Sequence, residues 1–223
     1  MGEVIGGILP LALGIAISPI PIIAAILMLL SPKAKGTSVG FLIGWVLGIV
    51  VAVVVFTLLA SIIPEQDPDA SKPISGAIKL LLGAGLLFLA LKQWRGRPKD
   101  GEAAALPKWM SAIDSMTTVR GAVLGFLLSA VNPKNLLMAA GAGVLIGTAG
   151  LNGGEITLVT VIFVVIAACS VAVPVIAYLI ASEKMAAPLE SLRGWLVQNN
   201  ATVMAVLLLV IGVVMIGKGI GSF

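Results

Sequence analysis

Asn132-Pro133-Lys134-Asn135 stands inside an otherwise apolar run from Gly121 to Ile146 and is the residue set in this chain best suited to chemistry. The run is long enough to cross a bilayer, since a helix needs roughly 20 apolar residues to span about 30 Å of hydrocarbon. Pro133 has no backbone N–H and its ring crowds the preceding turn, so carbonyls near Ser129 and Ala130 lose their helical donors. In hydrocarbon, irregular backbone must find partners inside the protein or beside a wet cavity. A lysine at that depth costs at least about 2.5 kcal/mol on insertion scales, which makes Lys134 a candidate for holding an anionic group. Asn132, Asn135 and Ser129 would supply hydrogen bonds around it.

A second interruption lies in the first apolar stretch, where Ser18-Pro19-Ile20-Pro21 prevents a continuous helix. Ile17 to Ala25 lines up with Val131 to Ala139 at a constant offset of 114 residues, with a polar residue before proline in both. Ser18 therefore joins the candidate site. Two half-helix ends at each break would expose backbone amides and carbonyls able to bind a polar or charged group. Lys79, about one turn inside the third apolar stretch, either lines the same site or snorkels to the interface. Pro174 is expected to break the fifth stretch.

Other chemistries are poorly supplied. The chain has no histidine and one cysteine, Cys169, and its acids Glu3 and Glu155 stand near the ends of apolar stretches. No metal set, cofactor motif or recognisable catalytic constellation follows from these residues, so no cofactor and no enzyme activity are expected. The net charge of +4 is small and lies in loops, which gives topology information rather than a nucleic-acid footprint.

The elements that must position these residues follow from composition. With 223 residues, 59% of them hydrophobic and 11% charged, the chain reads as an all-α polytopic membrane protein. Six spans are expected, at about Val4 to Leu30, Thr37 to Ile63, Ile74 to Leu91, Gly121 to Ile146, Ile156 to Ala181 and Ala201 to Ile216. Gly40, Gly44 and Gly48 form a small-residue face on the second, suited to close packing within the chain or in a homodimer. Trp109, Ile113 and Met116 share a helical face after Pro107, which predicts a short surface helix in the polar segment. Leu189, Leu192 and Leu196, with Trp195 beside them, predict another amphipathic piece over Ser182 to Asn200.

Each half holds three spans, an odd number, so the second half inserts upside down relative to the first, as in many secondary transporters. The organisation expected is residues 1–91 as a first three-helix repeat, 92–120 as a basic cytoplasmic loop and 121–223 as a second repeat. Ser18 lies about 14 residues into its span and Asn132 about as far into its own, which at about 1.5 Å per residue places both breaks near the midplane. Lys33, Lys35, the basic central loop, Lys184 and Arg193 fall on one side, and Lys72 and Lys218 on the other. The positive-inside rule makes the first side cytoplasmic, with both termini outside the inner (plasma) membrane.

With Asn132-Pro133-Lys134 in the fourth span, serine-proline in the first and six spans in two halves, the chain resembles the lysine-exporter superfamily. Its low charge, short Ser31-Pro32-Lys33 turn and basic central loop are most similar to the branch of glycolipid- or sulfolipid-addressing proteins. The resemblance implies an exporter or lipid-translocation role, with Ser18, Pro19, Pro21, Asn132, Pro133 and Lys134 at the matching positions. The expected function is alternating-access export of an anionic lipid, glycolipid or precursor around Lys134, with membrane lipids as partners. Two alternatives stay open: a small-solute or amino-acid exporter of the same superfamily, and a non-transporting assembly factor for envelope-lipid export. No acidic residue lies near any span's centre. Either an anion neutralises Lys134, or the lysine is uncharged in one state and carries a proton.

Overall fold

The computed structural model describes residues 1–62, 73–97, 110, 113 and 115–223. Among them are seven α-helices and no strand: α1 (Gly2–Ala16), α2 (Pro19–Leu29), α3 (Ala34–Ser61), α4 (Pro73–Arg95), α5 (Thr118–Ala130), α6 (Pro133–Gly147) and α7 (Gly153–Ile220). Four stretches, Ala34–Ser61, Pro73–Arg95, Gly153–Ser182 and Lys184–Ile220, are long and apolar enough to cross a membrane. Two bent pairs, α1 with α2 and α5 with α6, meet the same criterion together, giving up to six spans. Large apolar side chains such as Leu58, Leu81, Phe88, Val165 and Ile180 project from the outer surface. A surface so apolar suits hydrocarbon and not water.

The same local code starts both second half-helices. Ser18 is the N-cap of α2 with Pro19 in the first helical position, and Asn132 is the N-cap of α6 with Pro133 in the first. Proline suits that position because its missing N–H would have been unpaired there anyway. The axes bend by 49° between α1 and α2 and by 61° between α5 and α6. At the start of α7, Asn152 and Glu155 form a reciprocal capping box, with both bonds at 3.0 Å. This arrangement satisfies two orphan amides and holds the Glu155 carboxylate at the helix end.

α3 packs along both parts of the broken α5–α6 pair. A side chain at Gly40 or Gly44 would run into the backbone of Thr118 or Ala122, and one at Gly125 into the backbone of Phe41. Small residues on both helices thus bring the backbones together. The glycine face that could have served a homodimer is filled within the chain by α5. α4 lies against α7 by the same means, with Gly83 facing the carbonyl of Gly212. α1 and α2 also pack on α7.

Two expectations change. Pro174 sits inside helical backbone, and the non-helical residue of α7 is Ala181, at φ −142° and ψ 57°. A proline removes one helical bond, and membrane helices absorb this where packed neighbours hold the backbone in place. Here Val171 and Val175, on either side of the proline, are fully buried. Ser182 to Asn200 is not a separate surface piece: from Lys184 the helix runs unbroken to Ile220. Leu189 and Leu196 turn into the core, while Leu192 and Trp195 remain exposed. Trp109 and Pro107 of the expected surface helix, and most of the basic segment, lie outside the described residues; Ile113 is buried.

Candidate functional site

The two breaks meet. By helical geometry each carbonyl accepts from the N–H four residues on, so the carbonyls of Gly14 and Ile15 depend on Ser18 and Pro19. α1 ends at Ala16, and Pro19 has no N–H to give. Other groups take their place. Ser18 Oγ donates to the Ile15 carbonyl at 2.6 Å, and Lys134 Nζ, from the other half of the chain, donates to the Gly14 carbonyl at 2.8 Å. Lys134 Nζ also donates a short hydrogen bond to Ser18 Oγ.

The second break is closed in a related way. The carbonyl of Leu128, four residues before Asn132, accepts from Asn135 Nδ2 at 2.9 Å. Gly14 and Leu128 stand at the same offset of 114 as the two prolines, so equivalent carbonyls on the two breaks are each taken by a side chain from the first turn of α6. Asn132 Oδ1 accepts from the backbone N–H of Lys134 at 3.0 Å and so fixes the start of α6. Asn135 Oδ1 lies 3.3 Å from Ser18 Oγ. The Ser18 hydroxyl has one proton, and the shorter bond to Ile15 takes it. The sequence of bonds is therefore Lys134 to Ser18 to Ile15, with the Asn135 carbonyl oxygen beside it.

Burial is nearly complete: Lys134 is 7% exposed, Ser18 3% and Asn135 0%. Electrostatics explain why the lysine needs this pocket of carbonyls. As the second residue of α6, Lys134 sits at the positive end of its own helix dipole, where a cation is disfavoured. The carboxyl end of α1, carrying the opposite partial charge, faces it through Gly14. Among the described residues no carboxylate pairs with Lys134; their one ion pair is Arg193 with Glu190 on the surface of α7. An ammonium has three N–H groups, and two of them are accounted for by Gly14 and Ser18.

Not every expected residue joins this centre. Lys134, Asn132, Asn135 and Ser18 are brought together. Ser129 donates to the carbonyls of Gly125 and Phe126, both at 3.0 Å, and packs on Gly48 of α3. It belongs to the α3–α5 seam, because a serine hydroxyl in the last turn of a helix back-bonds to its own carbonyls more readily than it reaches across a break. Lys79 Nζ bonds Ser222 Oγ at 3.1 Å near the end of the chain, at the α4–α7 contact. One turn from the start of α4, its stem reaches the terminus of α7 rather than the central site. The carbonyls of Gly14 and Ile15 were missed from the sequence; the lack of a donor at Pro19 was the signal that could have found Ile15.

The free half-helix amides expected at the breaks are also largely absent. Pro19 and Pro21 remove two of the first three donors of α2, and Asn132 occupies the Lys134 amide. What the centre offers an incoming group is therefore the ammonium of Lys134.

Helices apolar enough to cross a bilayer, two of them broken where a buried cation bridges the breaks, define a membrane-embedded, all-helical protein with a polar centre. Residues 8–221 match the family model described as Sap, sulfolipid-1-addressing protein. The match covers nearly the whole chain, which belongs to that family. No curated protein and no solved structure gives a match.

Proposed function

We propose that this protein exports an anionic lipid, glycolipid or precursor from the cytoplasmic side of the plasma membrane by alternating access around Lys134. The carrying observation is a buried ammonium bonded to neutral acceptors only, Gly14 O and Ser18 Oγ, at the junction of two broken helices. A cation in low dielectric gains most from an anion, and a phosphate, sulfate or carboxylate on the substrate would supply one. Its remaining N–H is the first point of contact. Membership of a family described by sulfolipid addressing supports an anionic lipid as cargo.

In this reading the architecture is that of the lysine-exporter superfamily: six spans in two inverted three-helix repeats, residues 1–91 and 121–223, with 92–120 as the cytoplasmic link and both termini outside. Lys134 ties α6 of the second repeat to α1 of the first. A substrate oxyanion competes with the Gly14 carbonyl and the Ser18 hydroxyl for the same ammonium. Binding then releases the tie between the repeats, and its re-formation after substrate loss resets the carrier. Asn135 Oδ1, 3.3 Å from Ser18 Oγ, is a second acceptor for the Ser18 hydroxyl besides the Ile15 carbonyl when Lys134 turns away.

A second reading rests on the same network. Because protein groups already bond Lys134, the centre can serve as a structural clamp in a non-transporting assembly factor. Purified protein in liposomes separates the two. The export reading expects anionic lipid to cross the bilayer faster than in empty liposomes, with little movement of zwitterionic amino acids. Absence of any lipid or solute movement by correctly folded protein sinks the export reading and leaves the clamp.

A further inference from the structure

A second polar feature lies away from Lys134. The turn joining α2 to α3, the start of α5 and the part of α7 beside the Ala181 break line an open cavity of about 650 Å³. Lys33 and Lys35 come from the turn and the first residues of α3, Thr117 and Thr118 from the start of α5, and Tyr178 and Ser182 from α7. Its described lining includes two cations and several hydroxyls and no acid. The α3 start has no side-chain cap, and no acceptor meets the amides of Lys35 and Gly36 among the described residues. The volume falls in the range of small-ligand sites.

We propose that this cavity binds the phosphate or sulfate group of an anionic lipid at the membrane surface. Two lysines of the α2–α3 segment, with Thr117 and Thr118 at the start of α5 and Tyr178 and Ser182 of α7, line one concavity, and that combination suits a tetrahedral oxyanion better than a cationic headgroup. Lysine and arginine asymmetry assigns this face to the cytoplasm, where anionic lipids would be collected. The pocket is separate from the central site: along the buried face of α3, Thr37 lines it, while Gly48 meets Ser129 near the second break. Between those levels Phe41 and Trp45 are fully buried and stacked, with ring centroids 6.4 Å apart. The role as a loading pocket rests on the export reading; the binding itself does not.

The test is calorimetric titration of the full-length protein in nanodiscs of neutral phosphatidylcholine. The probes are dihexanoyl phosphatidic acid, dihexanoyl phosphatidylcholine and inorganic phosphate. Phosphatidic acid should bind and phosphatidylcholine should not. The Lys33→Gln/Lys35→Gln variant should weaken binding by about tenfold or more. Ser182→Trp, which fills the cavity without changing charge, should do the same. Lys92→Gln/Arg95→Gln, removing equal charge from exposed positions outside the cavity, should change binding by less than about threefold. Inorganic phosphate matching the lipid would keep the oxyanion site and make its ligand a free anion. Equal losses from both charge-removing pairs, with none from Ser182→Trp, would show diffuse attraction and overturn the pocket. Lys134→Ala should leave this binding intact; its loss there would mean that the probe reads the central site, which also overturns the proposal. Failure of export with pocket binding retained would bear only on the proposed function.

Discussion

Lys134 is held by groups that exist only because two helices are interrupted. Lys134→Ala leaves the buried Gly14 carbonyl without its donor and the Ser18 hydroxyl without its cation, a cost of about 1–3 kcal/mol. The purified variant should therefore stay folded but unfold at a lower temperature than the parent. An unchanged or higher midpoint would mean that the bonds to Gly14 and Ser18 contribute nothing net. Asn135→Asp is a sharper probe, because it sets a carboxylate in place of the amide oxygen 3.3 Å from Ser18 Oγ, the atom to which the Lys134 ammonium donates. That variant, compared at equal amounts of folded protein because it also loses the bond to the Leu128 carbonyl, should transport poorly, since its own carboxylate takes the place of the substrate anion; full transport would argue against an anionic substrate. Lys134, Asn132, Asn135 and Ser18 were legible in the sequence because each is a polar residue in an apolar solvent. The Gly14 carbonyl was not, since a backbone acceptor has no residue-type signature. Ser129 reads from sequence as one of the same group, and Lys79 stays between the site and the interface, because depth alone says nothing about which neighbour a side chain faces.

At the scale of elements, close backbone approach holds the unbroken α3 against the broken pair beside it. Gly44→Ala drives a methyl into the carbonyl of Ala122 and should destabilise the protein by about 1–3 kcal/mol. Gly217→Ala, whose added methyl meets nothing within 4 Å, should be neutral or stabilise by up to about 1 kcal/mol. Thermal unfolding of both variants in detergent checks the contrast, and equal midpoints would remove close packing as the reason for glycine at 44. The two breaks at Pro19 and Pro133 could be read from sequence because each proline follows a residue able to cap a helix. Pro174 follows Val173, which cannot cap, and the helix continues through it. Nothing in the residue types around Ala181 marks a break; it arises where the stretch Gly153–Ser182 turns into the long Lys184–Ile220 helix. The extension of that helix back to Lys184 was hidden by the polar residues between Glu190 and Asn200, which a long helix tolerates on its exposed side.

At the scale of the whole molecule, the proposed function carries an orientation. Orientation can be read by labelling single cysteines in a Cys169→Ala background with a membrane-impermeant maleimide. Gly221→Cys should react in intact cells and Pro32→Cys only after permeabilisation; the reverse pattern would invert the topology and place the lysine-lined pocket outside. The offset of 114 that relates the prolines also relates the carbonyls of Gly14 and Leu128, which accept from Lys134 and Asn135. In the proposed export cycle, the tie of the two halves through one ammonium makes Lys134 the point at which substrate and protein compete. The direct measurement is anionic-lipid export by liposomes containing equal amounts of folded parent or Lys134→Ala protein. The account predicts export by the parent and a loss of at least about tenfold in the variant, the effect of some 1.4 kcal/mol at a binding step. Export by Lys134→Ala at the parent's rate would contradict it.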